Sequence, residues 1–244
     1  MYKNYIFDLY GTLIDIHTDE DLPVLWEKLS VVFRMLGVNY SVIPLKKLYQ
    51  KLVLQEQANA FEKAKALYPK LEIPLHDIEI SVENVIKTLF MEQNVTIEKQ
   101  QIQDIAIFFR SLSLEYIHLF AGAADLLGRL HSAGKKIYLL SNAQRVFTEP
   151  EMKMLGIYDI FDGILYSSDV GFKKPSNLFY QALFDKFSLG KEDSVMIGNE
   201  QTADIEGATR FGIDSMYIHT NQSTPLTGRL PSRCRKIQSI NEVF

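Results

Sequence analysis

Tyr5-Ile-Phe-Asp-Leu-Tyr-Gly-Thr-Leu-Ile-Asp15 is the stretch on which the reading of the whole chain turns. Apolar and aromatic residues of high β propensity run unbroken into Asp8, and Gly11-Thr12 follows, as in a buried strand over residues 3–9 that empties into a tight loop. In an open parallel sheet, ligands gather beyond the carboxyl ends of the strands, so position alone makes Asp8 a candidate nucleophile or metal ligand. Asp and Gly are equally ordinary in a strand-to-loop turn, and this stretch by itself leaves both readings standing.

Outward from it, the character of the chain changes twice. Ile16 to Asp21 is short and polar, and from Leu22 the apolar residues recur at helical spacing: Leu22, Leu25, Leu29, Val32, Phe33 and Leu36 before Gly37. Three more helices are expected, through Leu45, Leu48, Leu52, Ala58 and Phe61, then Ile78 to Leu89, then Ile102 to Leu112. Residues 16–119 therefore read as all helix. Near Ala121-Gly122, strands begin to alternate with helices: helix Ala123–Ser132, strand Lys136–Leu140, helix Gln144–Leu155, strand Gly163–Tyr166, helix Asn177–Phe187, strand Ser194–Ile197, helix Asp204–Phe211, strand Ser215–His219. Such alternation marks βαβ units and a parallel sheet. The fold class is α/β, a doubly wound parallel sheet formed by residues 1–15 and 120–244, with residues 16–119 inserted after its first strand. The tail after Thr220 is polar and turn-rich and predicts no element.

Composition narrows the partners. The 244 residues suffice for a domain with a smaller one inserted, and 47% hydrophobic with 23% charged residues is ordinary for a globular protein. A net charge of −4 and a pI near 5.8 give no general attraction to nucleic acid or to an anionic membrane. A small-molecule substrate is the expected partner, and the oligomeric state is left open. The single cysteine, Cys234, excludes an internal disulfide, and neither a signal sequence nor an apolar run long enough to span a bilayer is present, so the cytoplasm is the expected location.

Three further strand ends carry polar groups. Ser141-Asn142 offers a hydroxyl and an amide just before an expected helix, where free N–H groups also favour an anion, although Ser141 reads equally as a helix cap. Gly171-Phe-Lys-Lys-Pro175 places two lysines in a loop before a helix. Gly198-Asn-Glu-Gln-Thr-Ala-Asp204 gathers Asn199, Glu200 and Asp204, hard oxygen ligands of the kind Mg2+ takes, or else an acidic helix start favoured by the dipole. Taken together, the four ends supply a nucleophile, a hydroxyl, a cation and a metal cluster in chain order.

In that order the chain resembles the haloacid dehalogenase-like (HAD) hydrolase superfamily. Its four motifs match Asp8-Leu-Tyr-Gly-Thr-Leu13, Leu140-Ser141-Asn142, Lys174-Pro175 and Gly198-Asn-Glu with Asp204, and the helical insert stands where that superfamily places its cap on a Rossmann-like core. The resemblance implies that Asp8 attacks to form a covalent aspartyl intermediate, with Ser141 and Lys174 holding the transferring group and its charge. Gly11, Thr12, Asn142 and Tyr10 would line the substrate. Mg2+ would be bound by Asp8, the Tyr10 carbonyl and the acidic loop, meaning Asn199, Asp204 and Glu200. The cap would close over substrate and exclude water.

Two positions depart from the pattern. Most phosphatases of the superfamily carry a second aspartate two places after the nucleophile, as acid and base, and here that place is Tyr10. Tyrosine there is similar to the L-2-haloacid dehalogenases, which displace halide from carbon without a metal. Against that likeness, the spacing of Asp204 from Gly198 is that of the Mg2+-dependent phosphatases, and Tyr49-Gln-Lys-Leu-Val-Leu-Gln-Glu56 lacks the arginine and aromatic residues that cradle halide. Asn199 replaces the usual aspartate after the glycine and keeps an oxygen ligand without its charge. The expectation is a Mg2+-dependent phosphatase of small phosphate esters, with a dehalogenase-like hydrolase as the alternative and a non-catalytic binding protein on this fold as a third reading.

Overall fold

The computed structural model describes residues 2–244. The first strand, β1 (Asn4–Phe7), is shorter than expected and ends one residue before Asp8. Ile6 and Phe7 are fully buried, Tyr5 nearly so, as a central strand with both faces covered requires. After the loop at Asp8–Leu13 comes β2 (Ile14–Thr18), then the helices α1 (Pro23–Met35), α2 (Val42–Leu67), α3 (Val82–Met91) and α4 (Lys99–Ser113), and β3 (Leu114–Leu119). The remainder alternates: α5 (Ala123–Ser132), β4 (Lys136–Ser141), α6 (Arg145–Met154), β5 (Gly163–Tyr166), α7 (Ser167–Val170), α8 (Asn177–Phe187), β6 (Ser194–Gly198), α9 (Gly207–Phe211), β7 (Asp214–Ile218) and β8 (Cys234–Ile237).

Six strands form one parallel sheet in the order β5-β4-β1-β6-β7-β8. β1 lies at the centre, with strands added to one side by β4 and β5 and to the other by β6, β7 and β8. The order reverses at β1, so the carboxyl end of β1 is the place where a crevice opens in such a sheet. This is the Rossmann-like α/β core, and Asp8 stands at its switch point. On one face Tyr5 and Phe7 join Leu126, Leu127 and Leu130 of α5 in a continuous apolar cluster, and Ile6 points to the opposite face by the two-residue period of a strand.

The chain divides into two compact units, one of residues 1–16 and 117–244 and the other of 17–116. Within the second, the four helices bury their own core: Trp26 meets Phe109 at 5.7 Å and Tyr49 at 5.3 Å between ring centroids, and Phe33 meets Phe90 at 4.8 Å. The insert is not helical throughout, as the periodicity of its middle had predicted. At its two ends β2 and β3 pair as a two-stranded sheet, because Ile14, Ile16, Ile117 and Leu119 alternate with Asp15, His17 and His118 in strand rather than helical rhythm.

Two further differences concern the core. The last helix begins earlier than predicted, in a wide π-helical turn over Gln201–Glu206, where Ile205 N–H reaches the Glu200 carbonyl at 3.4 Å. The polar tail adds β8, which pairs with β7 in parallel, and ends in a 3-10 turn at Ile240–Val243. No helix among the described residues is long and apolar enough to cross a membrane. Leu126→Ala, which removes fully buried methyl groups from the cluster beneath β1, is expected to lower unfolding free energy by about 2–5 kcal/mol, read from urea denaturation with an unchanged m-value.

Candidate active site

Three elements far apart in sequence meet at Asp8. Lys174, from the loop before α8, is 4% exposed, and its Nζ donates to Asp8 Oδ1 and to Asp204 Oδ1, each at 2.7 Å. Asp204 is fully buried in the π-helical turn, and its second oxygen accepts the Glu200 backbone N–H at 2.9 Å. The third polar neighbour is Thr12, whose hydroxyl lies 3.1 Å from both Asp8 Oδ2 and Asn199 Oδ1 and can donate to either.

The electrostatics follow from burial. Loss of water is the largest influence on Lys174 and would lower its pKa, but the adjacent Asp204 and Asp8 carboxylates override it and the net shift is upward. The ammonium therefore stays charged across the neutral range. Burial pushes Asp204 up to about 6, against the pull of Lys174 and with the help of the Asp8 charge. Tyr180, whose hydroxyl lies 2.9 Å from the Ala203 carbonyl and 3.0 Å from that of Asp204, braces the same turn from α8.

Glycines make this convergence possible. Gly11 has φ +81°, and a Cβ there would lie 2.4 Å from Asn199 Nδ2, so the loops after β1 and β6 touch only because position 11 has no side chain. A Cβ on Gly198 would lie 2.2 Å from Asp204 Oδ2.

The other residues singled out from sequence stand at neighbouring strand ends and loops. Ser141 is the last residue of β4, 1% exposed, and α6 starts only at Arg145, so Ser141 is not its cap. Asn142 grips the main chain of Lys174: its Oδ1 accepts the Lys174 N–H at 2.7 Å and its Nδ2 donates to the Lys174 carbonyl at 3.0 Å. The N–H groups of Gly11 and Thr12 bond inside the loop, to Ile14 O at 2.8 Å and Leu9 O at 3.2 Å. Glu200 turns to Thr224, whose N–H and hydroxyl reach its two oxygens at 3.2 and 3.0 Å. The Tyr10 hydroxyl is held from α6 by Glu151 and, at 2.9 Å, by Thr148. Glu151, Thr148 and Tyr180 carry no local signal in sequence, since each acts through a partner far along the chain.

The donors that remain near Asp8 fit a hard divalent cation. Asp8 Oδ2 and Asn199 Oδ1 converge on the same hydroxyl, and both are oxygens, as Mg2+ requires, with one carboxylate among them. Asp204, whose two oxygens accept from Lys174 Nζ and the Glu200 N–H, would meet such an ion through a water.

Removing the ammonium tests the charge balance. Lys174→Met leaves Asp8 and Asp204 unpaired and is expected to destabilise the protein by about 3–5 kcal/mol at pH 7. Because the folded pKa of Asp204 is raised, protonation favours the folded state, and that contribution is present at low pH and lost as pH rises through about 6. Without Lys174 the window moves upward, so the deficit measured by urea unfolding shrinks between pH 7 and pH 5. A deficit that grows over that interval would contradict the charge assignment.

Comparison with known proteins agrees with this architecture. The model of the haloacid dehalogenase-like hydrolase family matches residues 2–212. The chain is 27% identical over 114 residues to the glyceraldehyde 3-phosphate phosphatase of Methanothermobacter thermautotrophicus, a match that spans 47% of this chain and half of that protein. It is 20% identical to the (S)-2-haloacid dehalogenase 4A of Burkholderia cepacia, with 98% of this chain and 92% of that one covered. Among solved structures, YfnB of Bacillus subtilis bound to magnesium shares the fold at a TM-score of 0.55 and 20% identity, covering 99% of this chain and 96% of the other. A buried lysine between two aspartates at the switch point of a parallel sheet, and a family match over most of the length, place this chain in the haloacid dehalogenase-like hydrolase family.

Proposed function

We propose that the chain is a cytoplasmic, Mg2+-dependent phosphatase of small phosphorylated metabolites that works through Asp8. The observation that carries the reading is the surround of Asp8: an ammonium on one carboxylate oxygen, and a hydroxyl shared with the Asn199 amide oxygen at the other. Asp8, the Tyr10 carbonyl and Asn199 would hold the cation, with Asp204 behind them. Bound there, it would offset the charge that otherwise makes carboxylate and phosphate repel.

Asp8 attacks phosphorus, the bond to the ester oxygen breaks, and the leaving group departs as an oxyanion with the electron pair and takes its proton from solvent. Water then attacks the phosphorus of the aspartyl phosphate, releasing inorganic phosphate and restoring the carboxylate. Lys174 lies against the attacking group and screens the charge that gathers during transfer, which is most of what this chemistry asks of a protein. Ser141, buried at the end of the neighbouring strand β4, would hold a phosphate oxygen.

The leaving group receives no proton from a carboxyl two places after Asp8, because Tyr10 stands there with its hydroxyl held by Glu151 and Thr148. General acid help is worth about 10²–10⁴-fold, so activated aryl and acyl phosphates are the substrates this site suits best. The phosphatase activity of the Methanothermobacter relative supports the choice of bond. Tyr10 favours a second reading, in which Asp8 displaces halide from the carbon of a short 2-haloacid, and the Burkholderia relative supports that one.

A panel of aryl, acyl and sugar phosphates and short 2-haloacids, each with Mg2+ and with chelator, separates the two. Phosphate release that needs Mg2+ and disappears in Asp8→Asn is the expected outcome, with aryl and acyl phosphates ahead of sugar phosphates. Halide release that survives chelation selects the dehalogenase instead. Asn142→Ala, which frees the Lys174 backbone, is expected to lower kcat by about 10–100-fold with little change in KM.

A further inference from the structure

The segment after β7 is polar and has no regular structure before β8, yet its side chains and main chain reach both loops of the site. Thr220 Oγ1 donates to the Gly11 carbonyl at 2.8 Å. Asn221 Nδ2 and Gln222 Nε2 donate to the Asp15 carboxylate, the latter at 2.6 Å, and Gln222 also reaches the Ile16 carbonyl at 2.8 Å. Two residues on, the bonding passes to the loop after β6. Thr224 meets both oxygens of Glu200, and Thr227 and Gln201 pair as two strands would, with Thr227 N–H on Gln201 Oε1 at 2.8 Å and Gln201 Nε2 on the Thr227 carbonyl at 2.9 Å. Gln201 is itself buried.

We propose that residues 220–227 form a strap that fixes the loop after β1 against the loop after β6, and so sets the position of Thr12 between Asp8 and Asn199. Three observations carry it. The two loops abut at Gly11 and Asn199 with no room for a single added carbon, so a small shift of either separates the groups that share the Thr12 hydroxyl. The strap binds the first loop at Gly11, adjacent to Thr12, and the second at Glu200 and Gln201, adjacent to Asn199. Its contacts are hydrogen bonds, which hold direction as well as distance, where apolar packing would tolerate sliding. Thr220 and Thr224 are therefore positioning residues. They reach the loops that carry the reacting carboxylate and its oxygen neighbour.

The metal arm of the test rests on the phosphatase reading, and the exchange arm does not. Thr220→Val and Thr224→Val keep side-chain shape and remove one donor each, and Thr220→Ser restores it. In the full chain, each valine variant is expected to lower kcat on an aryl phosphate by about tenfold with KM within about twofold. Calorimetric titration of the substrate-free protein with MgCl2 should show weaker binding, and amide hydrogen exchange at Gly11, Thr12 and Leu13 should quicken in Thr220→Val. Thr220→Ser should recover all three. Folded valine variants with wild-type kcat, Mg2+ affinity and exchange would overturn the strap, as would a serine variant no better than the valine. If the wild type neither binds Mg2+ nor hydrolyses a phosphate ester, the phosphatase reading fails. Exchange alone then decides the strap, with quickened loop amides sustaining it and unchanged ones overturning it.

Discussion

One ammonium group holds the site together. Lys174 is buried at 2.7 Å from each of two carboxylates, and neither Asp8 nor Asp204 could sit where it does without that charge between them. Taking three ions out of water is costly, and the surrounding structure is arranged to offset the cost. Asn142 grips the main chain of the lysine, the Glu200 N–H caps the far oxygen of Asp204, and Tyr180 braces the turn that carries it. A buried ion cluster that is fully paired adds little net stability, but it admits one arrangement only.

The same constraint explains how much of the molecule could be read in advance. The alternation of strands and helices after Gly122 is legible because buried strands and amphipathic helices differ in period, and Asp8 and the stretch from Asn199 to Asp204 stand out because each follows a strand, whereas Lys174 lies beyond the short helix α7 and stands out only through its likeness to the family motif. What escaped depends on partners distant in sequence. Glu151 lies in the middle of a helix and meets Tyr10 across 141 positions. Asn142 looks like a phosphate-binding amide beside Ser141, and only the fold brings the Lys174 backbone within its reach. Glu200 reads in sequence as one of an acidic cluster, and only the fold brings the 220s loop to its carboxylate. The π-helical turn was missed for a different reason: helical periodicity over so few residues cannot distinguish a wide turn from an ordinary one.

Side-chain amides do the work of β-pairing in two places. Asn142 bonds both polar groups of the Lys174 main chain, and Gln201 bonds both of Thr227. Each replaces a strand where loop geometry leaves no room for one, and each anchors an irregular segment to a residue next to a strand end. Both clamps bear on the neighbourhood of Asp8, so its precision comes from loops fastened at defined points rather than from the sheet alone.

The pairing of Tyr10 with Glu151 bears on where such a chain can go by mutation. Glu151 is buried and accepts the hydrogen bond of the Tyr10 phenol. Exchanging Tyr10 for aspartate would remove this donor and set a second carboxyl group beside a buried one, a loss incurred before any gain in acid–base chemistry. The two positions are coupled, since the phenol at position 10 donates to the carboxyl at position 151. The side chain at position 10 is therefore held in place by a helix residue 141 positions away, and a substitution at either position changes what the other can be: epistasis written into one hydrogen bond.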